Sequence, residues 1–522
     1  MTTIRCTLTW MVRLWGIFLA GYALPAGAEE SRTMALVEVH AAVAAMGGEH
    51  LLESIHSIDF SAVGHRNMLE QSLRPDGPWW QDYFQETVTR DFQDQRVLIS
   101  STHRGYSSPQ WWLRHEDWDG VGTDIVYSGG VVAQVTGGKF SRASNYYLQS
   151  SEELLAFDPV QLLLSALASP DLHTEADRQY HGYTHHVVSW SWNGVPVHLL
   201  LNGYTALPEE VEWTRAQPYN VFWNVWGDVT THLAFGGWTL EPESLRYPRQ
   251  WTYERDGLPD SDVSITSVIV NPPLDDLRLT IPEDVVKEAL AKKSSLDDLP
   301  LGFGGGAATE IEPGLVHIPA AWNVNLIKQA DGILVLEGPI SSGYSQKVLA
   351  EVQRRYPDQP VKGVITTSDA WPHIGGLREY AARGIPIYAP DLNQEVLDRL
   401  FAAPHTLRPD ALQQHPRKAI LKLIGNRTSI GSGTNRVELV PYRSETGERQ
   451  MMVYFPEYRL LYTSDLFAPD NGDTWFTPEY LLEFKEAVTR EHLEVDNIFG
   501  MHFELTPFKT IDNALKTYLK TH

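Results

Sequence analysis

The spacing of apolar and polar residues changes character part-way along the chain. From Glu29 to Pro300 it opens with a short helical stretch, Met34 to Ala45, closed by Gly47-Gly48, and then becomes strand-like. Val187–Trp192, Val195–Leu201, Asn220–Trp226 and Val263–Val270 are rich in aromatic and β-branched residues and are separated by Asn-Gly, Pro and Gly turns. Asn193-Gly194 between two of these runs predicts a hairpin, since a two-residue turn needs residues that tolerate positive φ. One helical interlude, Pro159 to Ala168, interrupts the strands. Most of the tryptophans fall in this half, which predicts an antiparallel sheet with a large aromatic face, most simply a core.

Beyond Glu310 strands and helices alternate. Strands are predicted at Leu315–Ile318, Gly332–Leu336, Val361–Thr366 and Pro386–Ala389, with helices at Ser345–Arg355, Ile374–Arg383 and Leu392–Ala402. Hairpin strands follow at Val437–Pro441, Gln450–Phe455 and Leu460–Thr463, then a helix at Glu479–Thr489 and a strand at Asn497–Gly500. Thr506-Pro507 reads as the start of a last helix whose Phe508, Ile511, Leu515 and Tyr518 share a face. The pattern predicts sheets covered by helices. Between the halves, residues 301–309 contain Gly302-Phe303-Gly304-Gly305-Gly306. A phosphate-cradling loop needs a preceding strand, a following helix and usually a lysine. None is in register, so a flexible linker is expected between two domains, 29–300 and 310–522.

Composition narrows the function classes. The chain has 522 residues, 43% hydrophobic and 11% aromatic, enough to bury a large core. With 42 Lys+Arg against 66 Asp+Glu and a net charge of -24, it lacks the cationic surface that phosphate-tracking nucleic-acid binders need. The single Cys6 excludes an intrachain disulfide and any Cys-rich metal cluster. Cys6 also lies in a segment with the marks of a secretory signal peptide, residues 1–28: Arg5 and Arg13, the apolar run Leu14–Leu24, and Ala26-Gly27-Ala28 before Glu29. That run is too short to span a bilayer, which takes about 20 apolar residues. No cysteine follows the expected cut and no other membrane-spanning stretch is evident, so a periplasmic or secreted product without a stable membrane anchor is expected.

Three polar residues stand just past predicted strands: His373, Asp465 and His502. Loops at strand ends are where α/β folds place their sites, and two histidines with a carboxylate form a plausible zinc or iron ligand set.

The order of elements from Glu310 to His522 resembles the metallo-β-lactamase fold superfamily. Its markers are LVLEGP (Leu334–Pro339), VITTSDAWPHIGGLREY (Val364–Tyr380), YFPEYRLLYTSDLF (Tyr454–Phe467) and the His502 loop. The resemblance implies an αββα sandwich and a metal-dependent hydrolase of an ester, amide, thioester or phosphoester. Against the family's His-x-His-x-Asp-His loop, Ser368, Ala370 and Pro372 replace two histidines and the aspartate, and only His373 matches. The family's other first-site histidine would fall at 443–446, where none occurs. One divalent ion, zinc by its ligands, is therefore expected on His373, Asp465 and His502, with open positions for a small-molecule substrate. The ion would acidify a bound water, and antibiotic hydrolysis is disfavoured by the lost first site. Asp369 is the candidate general base or further ligand, the simpler alternative being a helix cap.

The N-terminal half resembles, in layout and in Val270-Asn271-Pro272 and Ile281-Pro282, the antiparallel half-barrel of periplasmic lipoprotein carriers, which implies an apolar ligand. A non-catalytic carrier with a degenerate C-terminal site is the alternative function. His181, His185 and His186 cluster on a predicted strand, but neighbours on a strand face opposite ways. Ser432 lacks the strand–turn–helix setting of a nucleophile, and Asn426-Arg427-Thr428 fits a glycosylation acceptor only in a eukaryotic secretory pathway.

Overall fold

Alternation puts one face of each N-terminal strand inside. In strand Ser57–Asn67 the buried residues Ile58, Phe60 and Ala62 fall two apart, the spacing that buries one side of a pleat. The computed structural model describes residues 26–70, 74–105, 122–445, 447–468, 475 and 478–521. In it, fourteen strands between Ser57 and Val270 form one sheet whose pairings are all antiparallel. The first strand, Ser57–Asn67, pairs with the last, Leu258–Val270, at the middle of the sheet. One edge is Lys139–Arg142; at the other, His173–Thr174 and Arg178–Tyr180 both pair with Tyr183–Trp192. Among the described strands the sheet is open.

Helices Ala26–Met46 and Pro159–Ala168 cover one face, burying Val39, Val43, Leu162 and Leu163 against Trp190, Trp213 and Trp251. Asp158 starts the second helix by accepting from Val160 N at 2.9 Å. The same carboxylate pairs with the buried Arg90 (2.8 Å) and accepts from Tyr247 Oη (2.7 Å). Arg90 in turn lies 4.8 Å from the centre of the Phe60 ring, so the buried charge is paired and enclosed by aromatic surface.

The C-terminal half has four layers. A seven-stranded sheet runs Thr309–Glu312, Leu315–Ile318, Val324–Gln329, Gly332–Leu336, Val361–Ile365, Ile387–Pro390, Leu421–Ile424, antiparallel at first and parallel from Gly332–Leu336 onward. A six-stranded sheet contains Thr428–Ile430, Val437–Pro441, Met451–Phe455, Leu460–Tyr462, Asn497–Phe499 and Thr506–Pro507. Leu334, Leu336, Leu439, Val453 and Phe499 meet between the sheets. Helices Ser342–Arg355, Leu377–Ala382 and Gln394–Ala402 cover the first sheet, and Pro478–Arg490 and Lys509–Thr521 the second. The two halves are tied by Asp228, whose carboxylate accepts from Thr406 N (2.7 Å), Thr406 Oγ1 (2.6 Å) and Leu407 N (3.0 Å).

Four expectations change. The first helix is longer, beginning at Ala26; the expected leader otherwise lies outside the described residues. Asn220–Trp226 is no strand: Asn220 Oδ1 accepts from Phe222 N (3.0 Å) and Trp223 N (3.1 Å), and this side-chain bonding folds the segment into a turn. Residues 301–309 do not hang free. Phe303 sits against Trp322 and Tyr344, its carbonyl accepts from Ala321 N at 3.0 Å, and a Cβ on Gly305 would stand 2.2 Å from Pro319 O. Those glycines therefore serve close backbone approach. Thr506-Pro507 forms an edge strand on Asn497–Phe499 rather than a helix start, a place where proline's missing N–H is tolerated.

Candidate metal centre

Each of the three expected ligands is carried on a loop fixed by backbone bonds. Past Val361–Ile365, Thr366 N extends the ladder to Tyr388 O (2.9 Å), and Ser368 Oγ then accepts from Ala370 N (3.2 Å). The chain enters the short helix Trp371–Ile374, which carries the buried His373. Trp371 lies edge-on to Trp223 (4.9 Å) and Trp226 (5.0 Å) of the N-terminal half, and its N–H reaches Glu70 O at 3.4 Å. Past Leu460–Tyr462, Thr463 N donates to Phe499 O (2.9 Å) and Met501 N to Ser464 O (3.0 Å), which fastens the Asp465 and His502 loops to each other.

Asp465 stands between the two histidines. Its Oδ2 is 3.3 Å from His373 Nε2 and its Oδ1 is 3.1 Å from His502 Nε2. One donor atom from each residue lies within 4.8 Å of the others, close enough to converge on one ion. His502 Nδ1 is 2.8 Å from Ala321 O. A carbonyl can only accept, so Nδ1 carries a hydrogen, and Nε2, on the Asp465 side, is the nitrogen placed to meet an ion. This is the arrangement in which metal-ligating histidines are held. The buried His373 Nδ1 has no hydrogen-bond partner among the described residues. The donor set thus fits a divalent ion of borderline softness.

Burial opposes ionisation of Asp465, but the charges and hydrogen bonds of His373 and His502 outweigh it and hold the carboxyl well below the usual range. For His373, burial is outweighed by Asp465, Glu337 and Asp369, which favour the imidazolium. Asp369 is pushed up by burial, against the pull of Arg449, whose Nε lies 2.5 Å from Oδ2. It does not cap the following helix: the cap position is Ala370, and Ser368 bonds the backbone there. Glu337, buried at φ 76°, accepts from Thr367 Oγ1, which lies 2.7 Å from Ser464 Oγ. Ser368 and Ala370 bring no imidazole to this loop, and Arg443 is engaged by Asp391 and Gly425 O.

Other candidates separate. His185 is buried with Nε2 2.7 Å from Glu209 Oε2, whereas His186 pairs with Asp177 at 3.1 Å on the opposite face. Ser432 and Asn426 are on exposed turns. A second His–carboxylate group, Glu210, Glu212 and His232, escaped notice in the sequence. Its only local signal is two glutamates two apart on a strand, and Arg178 already binds Glu212 at 2.6 Å.

No family model and no curated protein matches the chain. Among solved structures, the DIM-1 metallo-β-lactamase is similar over 41% of this chain and 98% of its own, at 10% identity and TM-score 0.33. A metallo-β-lactamase from Pontibacter korlensis matches 41% and 99%, at 12% identity and TM-score 0.32. The inverting sec-alkylsulfatase Pisa1 from Pseudomonas sp. matches 41% of each chain, at 12% identity and TM-score 0.29. No activity follows from these likenesses.

Proposed function

We propose that the chain is an exported, two-domain metallo-hydrolase in which His373, Asp465 and His502 hold one divalent ion, zinc by its donor set. The observation that carries this is the Ala321 O···His502 Nδ1 bond, which fixes one ligand's tautomer beside a carboxylate and a second buried histidine. Bound there, the ion supplies Lewis acidity for an ester, amide, thioester or phosphoester and acidifies water near neutral pH. The chain's own groups do the rest. Asp369, oriented by Arg449, accepts the proton of the attacking water. Thr367, Glu337 and Ser464 hold the two ligand loops in register. Residues 29–300 form the first domain and 310–522 the second, and the substrate is a small molecule. The export reading rests on the leader; no described helix is long and apolar enough to cross a membrane.

Metal analysis of protein loaded with zinc, iron or manganese tests this, with His373→Ala and Asp465→Ala beside the wild type. About one equivalent in the wild type and its loss in both variants is expected. Less than about a tenth of an equivalent in the wild type leaves the non-catalytic carrier as the function, since the chemistry requires the ion.

A further inference from the structure

A cavity of 980 Å³ lies between the N-terminal sheet and the C-terminal half, a size suited to a drug-sized ligand. The pleat of Gln81–Asp91 sends Asp82, Phe84 and Glu86 into it. The facing wall is ring-rich, with Tyr146, Tyr147, Phe222, Phe303 and Trp322.

This wall is continuous with both histidine loops. Trp322 lies 6.1 Å from the His502 ring, while Ala321 and Asn323 on either side bond His502 Nδ1 and Met501 O. Arg66 pairs with Glu70 at 3.0 Å, and Glu70 O receives Trp371 N, two residues before His373. Phe222 directly precedes Trp223, which packs on Trp371.

The charges of the wall are unevenly used. Arg66 is neutralised by Glu70, and Lys292 by Glu288 at 2.7 Å. Asp82 Oδ2 accepts from His103 Nδ1 (2.9 Å), but its buried Oδ1 has no partner among the described residues. The half-buried Glu86 side chain has no ion pair with a described residue, and burial pushes its carboxyl up to about 7 despite the nearby His103. Arg142 is bonded to Ala143 O at 3.3 Å and sits on the edge strand. Arg142 is not among the charges that act on Glu86, of which His103 is the one named group. Among the described residues Glu86 has no cation paired to it, while Asp82 faces the His103 ring and lies near Arg66.

We propose that this cavity is the substrate chamber of the His373–Asp465–His502 site, and that it takes an amphiphile with a cationic amine directed at Asp82 and Glu86 and an apolar body along the ring-lined wall. The link to catalysis rests on the metal-centre reading above. An amine between two carboxyl groups and aromatic faces replaces its hydration with ion pairing and cation–π attraction, whereas a carboxylate there adds like charge.

Titration calorimetry of the full chain with decylamine, decanol and decanoate, below their micelle concentrations, tests the ligand class. Decylamine binds tighter than either analogue by about tenfold, and Glu86→Gln removes most of that preference. Ser101→Phe, which fills the cavity from the neighbouring strand, abolishes binding of all three. Decanoate binding as tightly as decylamine, or an unchanged preference in Glu86→Gln, overturns the ligand class. Manganese then tests the link: it broadens the proton resonances of bound decylamine in the wild type and not in His373→Ala, which still binds the amine. Amine binding without broadening in manganese-loaded protein overturns the chamber's link to the centre. Amine selection by protein that takes up no manganese overturns the metal reading alone.

Discussion

Replacing Trp371 by alanine tests whether the N-terminal sheet braces the metal centre. The side chain is 4% exposed and sits edge-on between Trp223 and Trp226, at 4.9 and 5.0 Å. Truncating a buried tryptophan costs about 3–5 kcal/mol, a range that already contains its ring contacts. The cavity opens two residues from His373, on a loop otherwise held by Ile340 N to Pro372 O (2.7 Å) and Ala370 N to Ser368 Oγ (3.2 Å). Those bonds survive, so the loop loosens without leaving its place. Loss of such outer support lowers metal affinity by about 10–100-fold. Urea unfolding followed by circular dichroism gives the first quantity, and zinc competition with a chelating dye the second. Trp371→Phe, which keeps a ring between the two indoles, falls between wild type and alanine in both. Full destabilisation with wild-type zinc affinity would refute the bracing argument; a loss under about 1 kcal/mol would refute the packing argument.

Asp158→Ala leaves Arg90 buried without its carboxylate and removes the cap on Val160 N, so urea unfolding shows a loss of about 3–5 kcal/mol, while Arg90→Met with Asp158→Leu recovers most of it. Glu86 is raised when folded, so the native state holds its proton where the unfolded chain has released it, and stability falls as pH rises from the ordinary glutamate value through about 7. Glu86→Gln therefore gains on wild type from pH 5 to 8 in parallel urea series, and a constant difference across that span counts against the buried acid. Chelator treatment of zinc-loaded protein lowers the melting temperature of the wild type and leaves His373→Ala unchanged, as scanning fluorimetry reports.

The strands that frame the centre were legible because their apolar runs are local. Val361–Ile365 and Asn497–Phe499 lie within a residue of the expected ends. His373, Asp465 and His502 were legible from their places just past strand ends and from the resemblance, since no spacing joins residues up to 129 positions apart. Their closeness comes from the parallel pairing of Leu460–Tyr462 with Asn497–Phe499 and from the facing sheet. What could not be read was held by distant partners. Asp369 looks like a helix cap until Arg449 is placed beside it, 80 residues on. Residues 220–226 carry strand-like composition, but Asn220 bonds its own backbone and the indoles find Trp371. The glycines of 301–306 resemble a tether until Pro319 is seen against them.

The edges of the large sheet bear on how the protein survives at high concentration. Tyr183–Trp192, ten residues long, would offer a long row of free N–H and C=O groups to another chain. The two- and three-residue strands His173–Thr174 and Arg178–Tyr180 occupy that row instead, and the opposite edge is four residues bearing a lysine and an arginine. A lesion that detaches those two short strands leaves the fold's core intact, yet converts the sheet into a template for strand addition and aggregation.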